Sequence, residues 1–331
     1  MGKSELLTTE SAETRARHLG GAAGPLWPAT WGSLGAKRAL AFASVYVVWG
    51  STYLAIRIGV QSIPPFLLGG ARFMAAGSAM FLIGRWSGAR APTAAEWRRA
   101  TFSGIVMLGA GNGLVTWAAT QLPSNLTALL IAAVPSYVIL MDWLRPGGSR
   151  PHPRALAGVV LGALGMAVLL RPDPAALEAK RGWAIVAALG AGAAWAVGSL
   201  YNRYQKVHPN STVSGAQQML VGGATLSLLS VLNGELAGFS PGQVSGASWL
   251  SLLYLTIFGS MLAFSAFNWL VTVTTPAQLS TSAYVNPVVA VVLGFLVLGE
   301  TLSAPSLAGA AFIICAVVVM VTAPRPAPRA P

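Results

Sequence analysis

A single guanidinium stands inside the apolar run "PPFLLGGARFMAAGSAMFLIG". Arg72 is about 10 Å from the start of that run at ~1.5 Å of helix rise per residue, and a charge at membrane depth is costly unless it faces a protein interior and is paired. Two roles fit it: an anchor or gate for a substrate carboxylate, or a structural pair with Glu300 or a free carbonyl. Around it, small polar groups and aromatics recur where Leu and Val would be ordinary. Trp49, Tyr53, Asn112, Trp117, Asn268, Trp269 and Asn286 are the ones expected to line a binding cavity. Such a set can hold a zwitterion by hydrogen bonds and a flat apolar group by stacking. Each could equally serve as packing between helices. Pro135 and Pro287 each remove a backbone donor and are expected to kink their helices.

The groups that are missing narrow the chemistry. His18, His152 and His208 fall in tails or loops, and Asp142, Glu235 and Glu300 fall at the ends of apolar runs. A proton relay usually places a carboxylate or imidazole at mid-membrane, and a hydrolase needs a nucleophile with a base beside it. The expectation is therefore facilitated diffusion or exchange, or proton coupling through a terminal acid such as Glu300. Neither an enzyme nor a metal or cofactor site is expected. "GAGNG" (Gly109–Gly113) lacks the Lys-Ser/Thr ending of a phosphate loop and reads as close packing around Asn112. Gly158, Gly162 and Gly165 put a small-residue face on one helix, suited to helix or subunit packing, which leaves a homodimer open. The lone Cys315 reads as a small packing residue, and the Asn-X-Thr triplets at Asn125 and Asn210 read as chance.

The elements that must position these groups follow from composition. The chain has 331 residues, 54% hydrophobic and only 9% charged, against about a quarter charged in soluble domains. It belongs in a lipid bilayer. Ten runs are long enough for a ~30 Å hydrocarbon core: 39–57, 64–84, 100–120, 124–143, 154–170, 182–202, 212–234, 247–270, 277–299 and 304–322. They are continuously apolar, which excludes a β-barrel. The fold class is an all-α polytopic membrane protein.

The formal charge of +12 orients the chain. With ten spans, sixteen Lys and Arg fall on the side of the two tails and four on the other, so both termini are expected in the cytoplasm. The basic residues are spread over short loops, so no nucleic-acid face is expected. Residues 1–37 lack the apolar core of a signal peptide and read as a disordered tail, with Trp27 and Trp31 at the interface. Residues 171–181 read as a linker and 323–331 as a second tail.

The runs repeat. Gly50-Ser51-Thr52-Tyr53 echoes Gly198-Ser199-Leu200-Tyr201, Arg72-Phe73-Met74 stands opposite Gln218-Met219-Leu220, Trp117 opposite Trp269, "AAVPSYV" opposite "AYVNPVV", and Leu156-Ala157-Gly158 opposite Leu307-Ala308-Gly309. Two halves, 38–170 and 182–322, would each hold five spans, and an odd number makes them enter the membrane in opposite directions. Inverted repeats of this kind characterise secondary transporters with a site near the midplane.

"VYVVWGSTYLAIRIGVQSIPPFLLGGARFMAAG" and "STSAYVNPVVAVVLGFLVLGETLSAPSLAGAAFIICAVVV" resemble the first two and last two spans of EamA-type carriers of the drug/metabolite transporter superfamily. The resemblance extends over about residues 40–322. It implies ten helices in inverted five-helix halves and export, across a bacterial inner membrane, of amino acids, related metabolites or toxic compounds. Family members often end spans 4 and 9 on Gly-Glu; here span 9 ends Gly299-Glu300, but span 4 runs into "DWLRPGGSRP". A membrane sensor or scaffold that moves nothing is the alternative on the same fold.

Overall fold

A computed structural model describes residues 33–122, 127, 130–148, 150–170, 179–205, 207–298 and 304–324. The tail carrying Trp27 and Trp31, Asn125, residues 171–178 of the expected linker, Glu300 and residues 325–331 lie outside the described residues. Among the described residues the regular structure is helical throughout.

The helix starts are written in local chemistry. α1 (Leu34–Gly59) begins where the Ser33 hydroxyl accepts the Ala36 amide. α2 (Pro65–Trp86) opens on a proline, whose missing donor costs nothing in a first turn. α3 (Ala94–Gln121) starts six residues before the expected run, because Thr93 and Glu96 form a reciprocal capping box. α4 (Val134–Leu144), α5 (Pro153–Leu170) and α6 (Ala179–Gln205) follow. α7 (Ser211–Leu232) is capped by the Asn210 side chain, which accepts from the Thr212 and Val213 amides. Asn210, 5% exposed, is thus a buried cap. α8 (Gly246–Val273) starts at the Ser245 hydroxyl. A short helix, Pro276–Ser280, precedes α9 (Ser282–Leu298) and α10 (Ala304–Val321).

Among the described residues six helices, α1, α2, α3, α6, α7 and α8, are long and apolar enough to cross a membrane. α4 has 11 described residues and α5, α9 and α10 have 18, 17 and 18, short of the ~20 that a straight crossing needs.

Packing without a water-driven hydrophobic effect relies on close backbone approach, and the glycines supply it. α2 and α7 run antiparallel with Gly70 against Ser227, Gly77 against Leu220 and Gly84 against Val213. The glycines are seven residues apart, so one face of α2 is bare along its length. α5 and α10 pair likewise: Gly158 meets Met320, Gly165 meets Phe312, and Gly162 seats the Tyr284 ring. The small-residue face of α5 is therefore occupied within the chain and is no free surface for a second subunit. α1 lies on α8 and α9, with Gly50 against Val289. α6 lies on α3 and α4, with Gly198 against Met107 and Gly192 against Val134 and Tyr137.

Two helices widen in the middle. Residues Gly104–Asn112 of α3 and Leu255–Leu262 of α8 are π-helical, a geometry that loosens the backbone ladder and is frequent at functional sites.

Candidate functional site

Both π-helical stretches face one central cavity. Its wall takes Leu108, Gly111 and Asn112 from α3 and Gly259 from α8. α1 contributes Trp49, Thr52 and Tyr53, α2 contributes Arg72, and α9 contributes Asn286. Five of the expected site residues, Arg72, Trp49, Tyr53, Asn112 and Asn286, thus line a common space. Its volume of about 120 Å³ is below the ~300–1,000 Å³ of ligand pockets, so a solute of amino-acid size needs it to open.

Arg72 is 7% exposed. Its Nε donates to the Ser260 hydroxyl in the π-helical part of α8 at 2.7 Å, and its guanidinium carbon lies 4.3 Å from the centre of the Phe73 ring. Neither contact neutralises the charge. A second arginine, Arg203 of α6, reaches the same cavity, and its Nη1 donates to the carbonyls of Val271 at 3.0 Å and Thr274 at 2.5 Å. Among the described residues no carboxylate lines the cavity.

The aromatic wall is a cluster. Trp49 meets Trp195 edge-on at 5.4 Å between ring centres and Phe267 at 5.1 Å. Trp195 lies 5.5 Å from Phe267, which stacks with Phe264 at 6.1 Å. Trp49 is held by its indole N–H, which donates to the Gly259 carbonyl at 3.1 Å. On the polar side, Asn286 Oδ1 is buried without a hydrogen-bond partner among the described residues, an acceptor free for a donor on a solute.

Three expected residues lie elsewhere. Trp117 packs beside Ala118, Leu122, Ala184 and Ala188. Trp269 packs against the main apolar core. Asn268 accepts from Gln218 Nε2 at 3.2 Å, and Gln218 Oε1 accepts from Asn202 at 2.7 Å, a buried polar network that joins α6, α7 and α8. The prolines also differ from each other. Pro287 is inside α9, whereas Pro135 stands in the first turn of α4, where it breaks no helical hydrogen bond.

Two of the three terminal acids are described, and both are engaged. Glu235 accepts from the Phe66 and Leu67 amides at 3.2 and 2.9 Å, capping α2 from a distant loop. Asp142 accepts from the Tyr204 hydroxyl at 2.6 Å and from Arg145 Nε at 3.2 Å. His208 lies in a loop as expected, yet it is 7% exposed and its Nδ1 accepts the Asn210 amide at 3.0 Å.

Arg203, Ser260, Phe264 and Phe267 were not singled out from sequence. Arg203 lies just past the apolar run, which ends at residue 202, while α6 continues to Gln205. Its Val271 and Thr274 acceptors are main-chain atoms, which leave no trace in residue types.

Comparison with known proteins agrees with this architecture. The sequence pattern of the EamA-like transporter family matches residues 37–171 and again 182–322. An uncharacterized inner membrane transporter of Escherichia coli (strain K12), YedA, is 34% identical over 278 residues, which cover 84% of this chain and 88% of that protein. A Salmonella typhimurium protein named "Probable amino-acid metabolite efflux pump" is 24% identical, with 84% of this chain and 92% of its own covered. A Streptantibioticus cattleyicolor protein named "Probable terminal-alkyne amino-acid exporter" is 26% identical, with 86% and 93% covered. A crystal structure at 22% identity superposes with a TM-score of 0.70 over 86% of this chain and 97% of that one, which shows a shared fold. A membrane protein with two arginines and an aromatic wall around one central cavity, matched twice over by one family pattern, this chain belongs to the EamA-like transporter family.

Proposed function

We propose that the protein is a carrier, not an enzyme, that exports small amphipathic metabolites bearing a carboxylate, amino acids and related compounds among them, across a bacterial inner membrane by alternating access. The observation that carries this reading is the charge of the cavity wall: two arginines, no carboxylate among the described residues, and a Trp/Phe cluster beside them. An anionic group gains charge-assisted hydrogen bonds from a guanidinium, while a lipophilic cation meets two like charges. Asn286 Oδ1 can accept from an ammonium, and the aromatic cluster can take an apolar side chain. The names of the Salmonella and Streptantibioticus relatives favour the same substrate class.

The proposed architecture is ten spans in two inverted repeats, 38–170 and 182–322, with both termini in the cytoplasm. Three features support it. The family pattern matches twice, with nearly these bounds. The π-helical stretches occupy matching places in α3 and α8. The packing partners correspond under exchange of the halves, α1 on α8 and α9 against α6 on α3 and α4. An inverted pair of bundles can rock about the antiparallel α2–α7 contact and expose the cavity to each side in turn.

The test is growth protection followed by flux. Cells overproducing the protein should resist toxic amino-acid analogues, and purified protein in vesicles should move a resisted analogue saturably. Resistance confined to lipophilic cations would overturn the substrate class. Absence of saturable flux for every resisted compound would overturn the carrier itself in favour of a scaffold.

A further inference from the structure

A second cavity, about 480 Å³, lies beside the central one at the Arg203 end of the bundle. Its wall is more polar, with Thr272, Thr274, Thr275, His152 and Tyr204. Among the described residues its one carboxylate, Asp142, is already neutralised: it takes hydrogen bonds from Tyr204 and Arg145, and the Arg145 guanidinium stacks over the Tyr204 ring at 3.6 Å. Among the described residues two are shared by the walls of both cavities, Arg203 and Pro276. The two cavities therefore meet at the Arg203 guanidinium and the Pro276 ring.

The guanidinium is held in that position by α8. That helix ends at Val273, and its last carbonyls have no intrahelical partner. The Leu270 carbonyl accepts the Thr274 amide at 3.0 Å and the Thr274 hydroxyl at 2.7 Å, while Arg203 covers the Val271 carbonyl and, just past the helix end, that of Thr274. A cation at a helix C-terminus is favoured by the helix dipole, but these acceptors are neutral. An ionised carboxylate offers two oxygens to the same planar fork, bidentate, and adds an opposite charge that a carbonyl lacks. The contact that holds the guanidinium there is thus one that an anion can displace.

Resting on the carrier reading above, we infer that Arg203 is the latch between the two cavities and the first station for a substrate carboxylate. A carboxylate in the polar vestibule draws the guanidinium off the α8 carbonyls, the passage beside Pro276 opens, and the anion passes on to Arg72. Arg203 is a positioning and binding residue in this scheme, and the α8 terminus returns it when the vestibule empties.

The latch is testable without any knowledge of the transported compound. Ser199 lines the central cavity one helical turn from Arg203, so a Ser199→Cys variant, with Cys315→Ser to remove the native thiol, reports access. A charged maleimide applied from the Arg203 side should label Cys at 199 slowly. Arg203→Gln should raise that rate about tenfold or more, with Arg203→Lys in between, each variant being checked for an unchanged size-exclusion profile. Benzoate should accelerate labelling in the Arg203 protein and benzamide should not. Equal rates for Arg203, Arg203→Gln and Arg203→Lys would overturn the latch, and benzoate no better than benzamide would overturn the anion station. Failure of the carrier reading would appear separately, as absent flux with the labelling differences intact.

Discussion

Arg72 of α2 and Ser260 of α8 are joined at 2.7 Å across the bundle, one a buried cation, the other a hydroxyl held where α8 widens into π-helical geometry. The bond fixes the direction of the guanidinium, and among the described residues no carboxylate lines the cavity to compensate its charge. Among the described residues only its Nε is hydrogen-bonded, to Ser260, which leaves the rest of the guanidinium for a solute in the cavity. Glu300, the other partner that the sequence offers this charge, lies outside the described residues.

Arg72→Gln should therefore leave folded protein in the membrane and raise KM for a carboxylate substrate about ten- to hundredfold, the equivalent of the ~1.5–3 kcal/mol of a hydrogen bond to a charged group. Arg72→Lys should recover part of it, since an ammonium keeps the charge but not the planar fork. Ser260→Ala should lower stability by about 1–3 kcal/mol, the cost of a buried donor left without an acceptor. Flux kinetics and detergent unfolding of the three variants check these. Loss of expression with unchanged KM in the survivors would assign Arg72 a structural role.

The α2–α7 seam predicts a contrast between glycines. A Cβ on Gly77 would fall 2.9 Å from the Leu220 amide nitrogen, a backbone atom that cannot yield alone. Gly77→Ala should cost about 1–3 kcal/mol, as overpacking does. Gly190→Ala, whose Cβ would meet nothing closer than Leu114 at 3.9 Å, should be neutral or stabilise by ~0.4–1 kcal/mol. Unfolding midpoints in one detergent compare the two.

His208 predicts a pH dependence of stability. Burial holds its pKa below the ordinary 6.5, with the Glu96 carboxylate opposing and the Arg90 charge adding to the effect. The unfolded chain therefore binds the proton more readily than the folded one. Stability is complete above about 6.5 and is lost as the pH falls through the window between the unfolded and folded values. The unfolding midpoint should drop by a few degrees on acidification, and His208→Gln should flatten that part of the profile. A profile equally steep in the variant would remove His208 as its source.

Much of this molecule was determined by the sequence alone. Continuous apolar runs with few charges leave only helices in a bilayer, because lipid satisfies no backbone donor or acceptor. Arg72 stood out because an isolated charge at that depth is too costly to be accidental. Gly50-Ser51-Thr52-Tyr53 and Gly198-Ser199-Leu200-Tyr201 announced the echo between halves, and Thr52, Tyr53, Ser199 and Leu200 all reach the cavity.

Which face of each helix turns inward was left to the tertiary structure. In water an amphipathic stripe marks the buried side; in a membrane, core and lipid are both apolar and the stripe fades. Asn268 and Phe267 are neighbours on α8, yet the ~100° turn between successive residues sends the phenylalanine to the cavity and the asparagine to Gln218. Trp117 and Trp269 have the same chemistry as Trp49 but face other helices. Arg203 became a site residue only because α6 runs past the end of its apolar stretch and α8 presents free carbonyls to meet it. Residue type sets what a side chain can do, and the rotation and reach of its helix, fixed by glycine contacts with neighbours, decide whether it does it in the cavity.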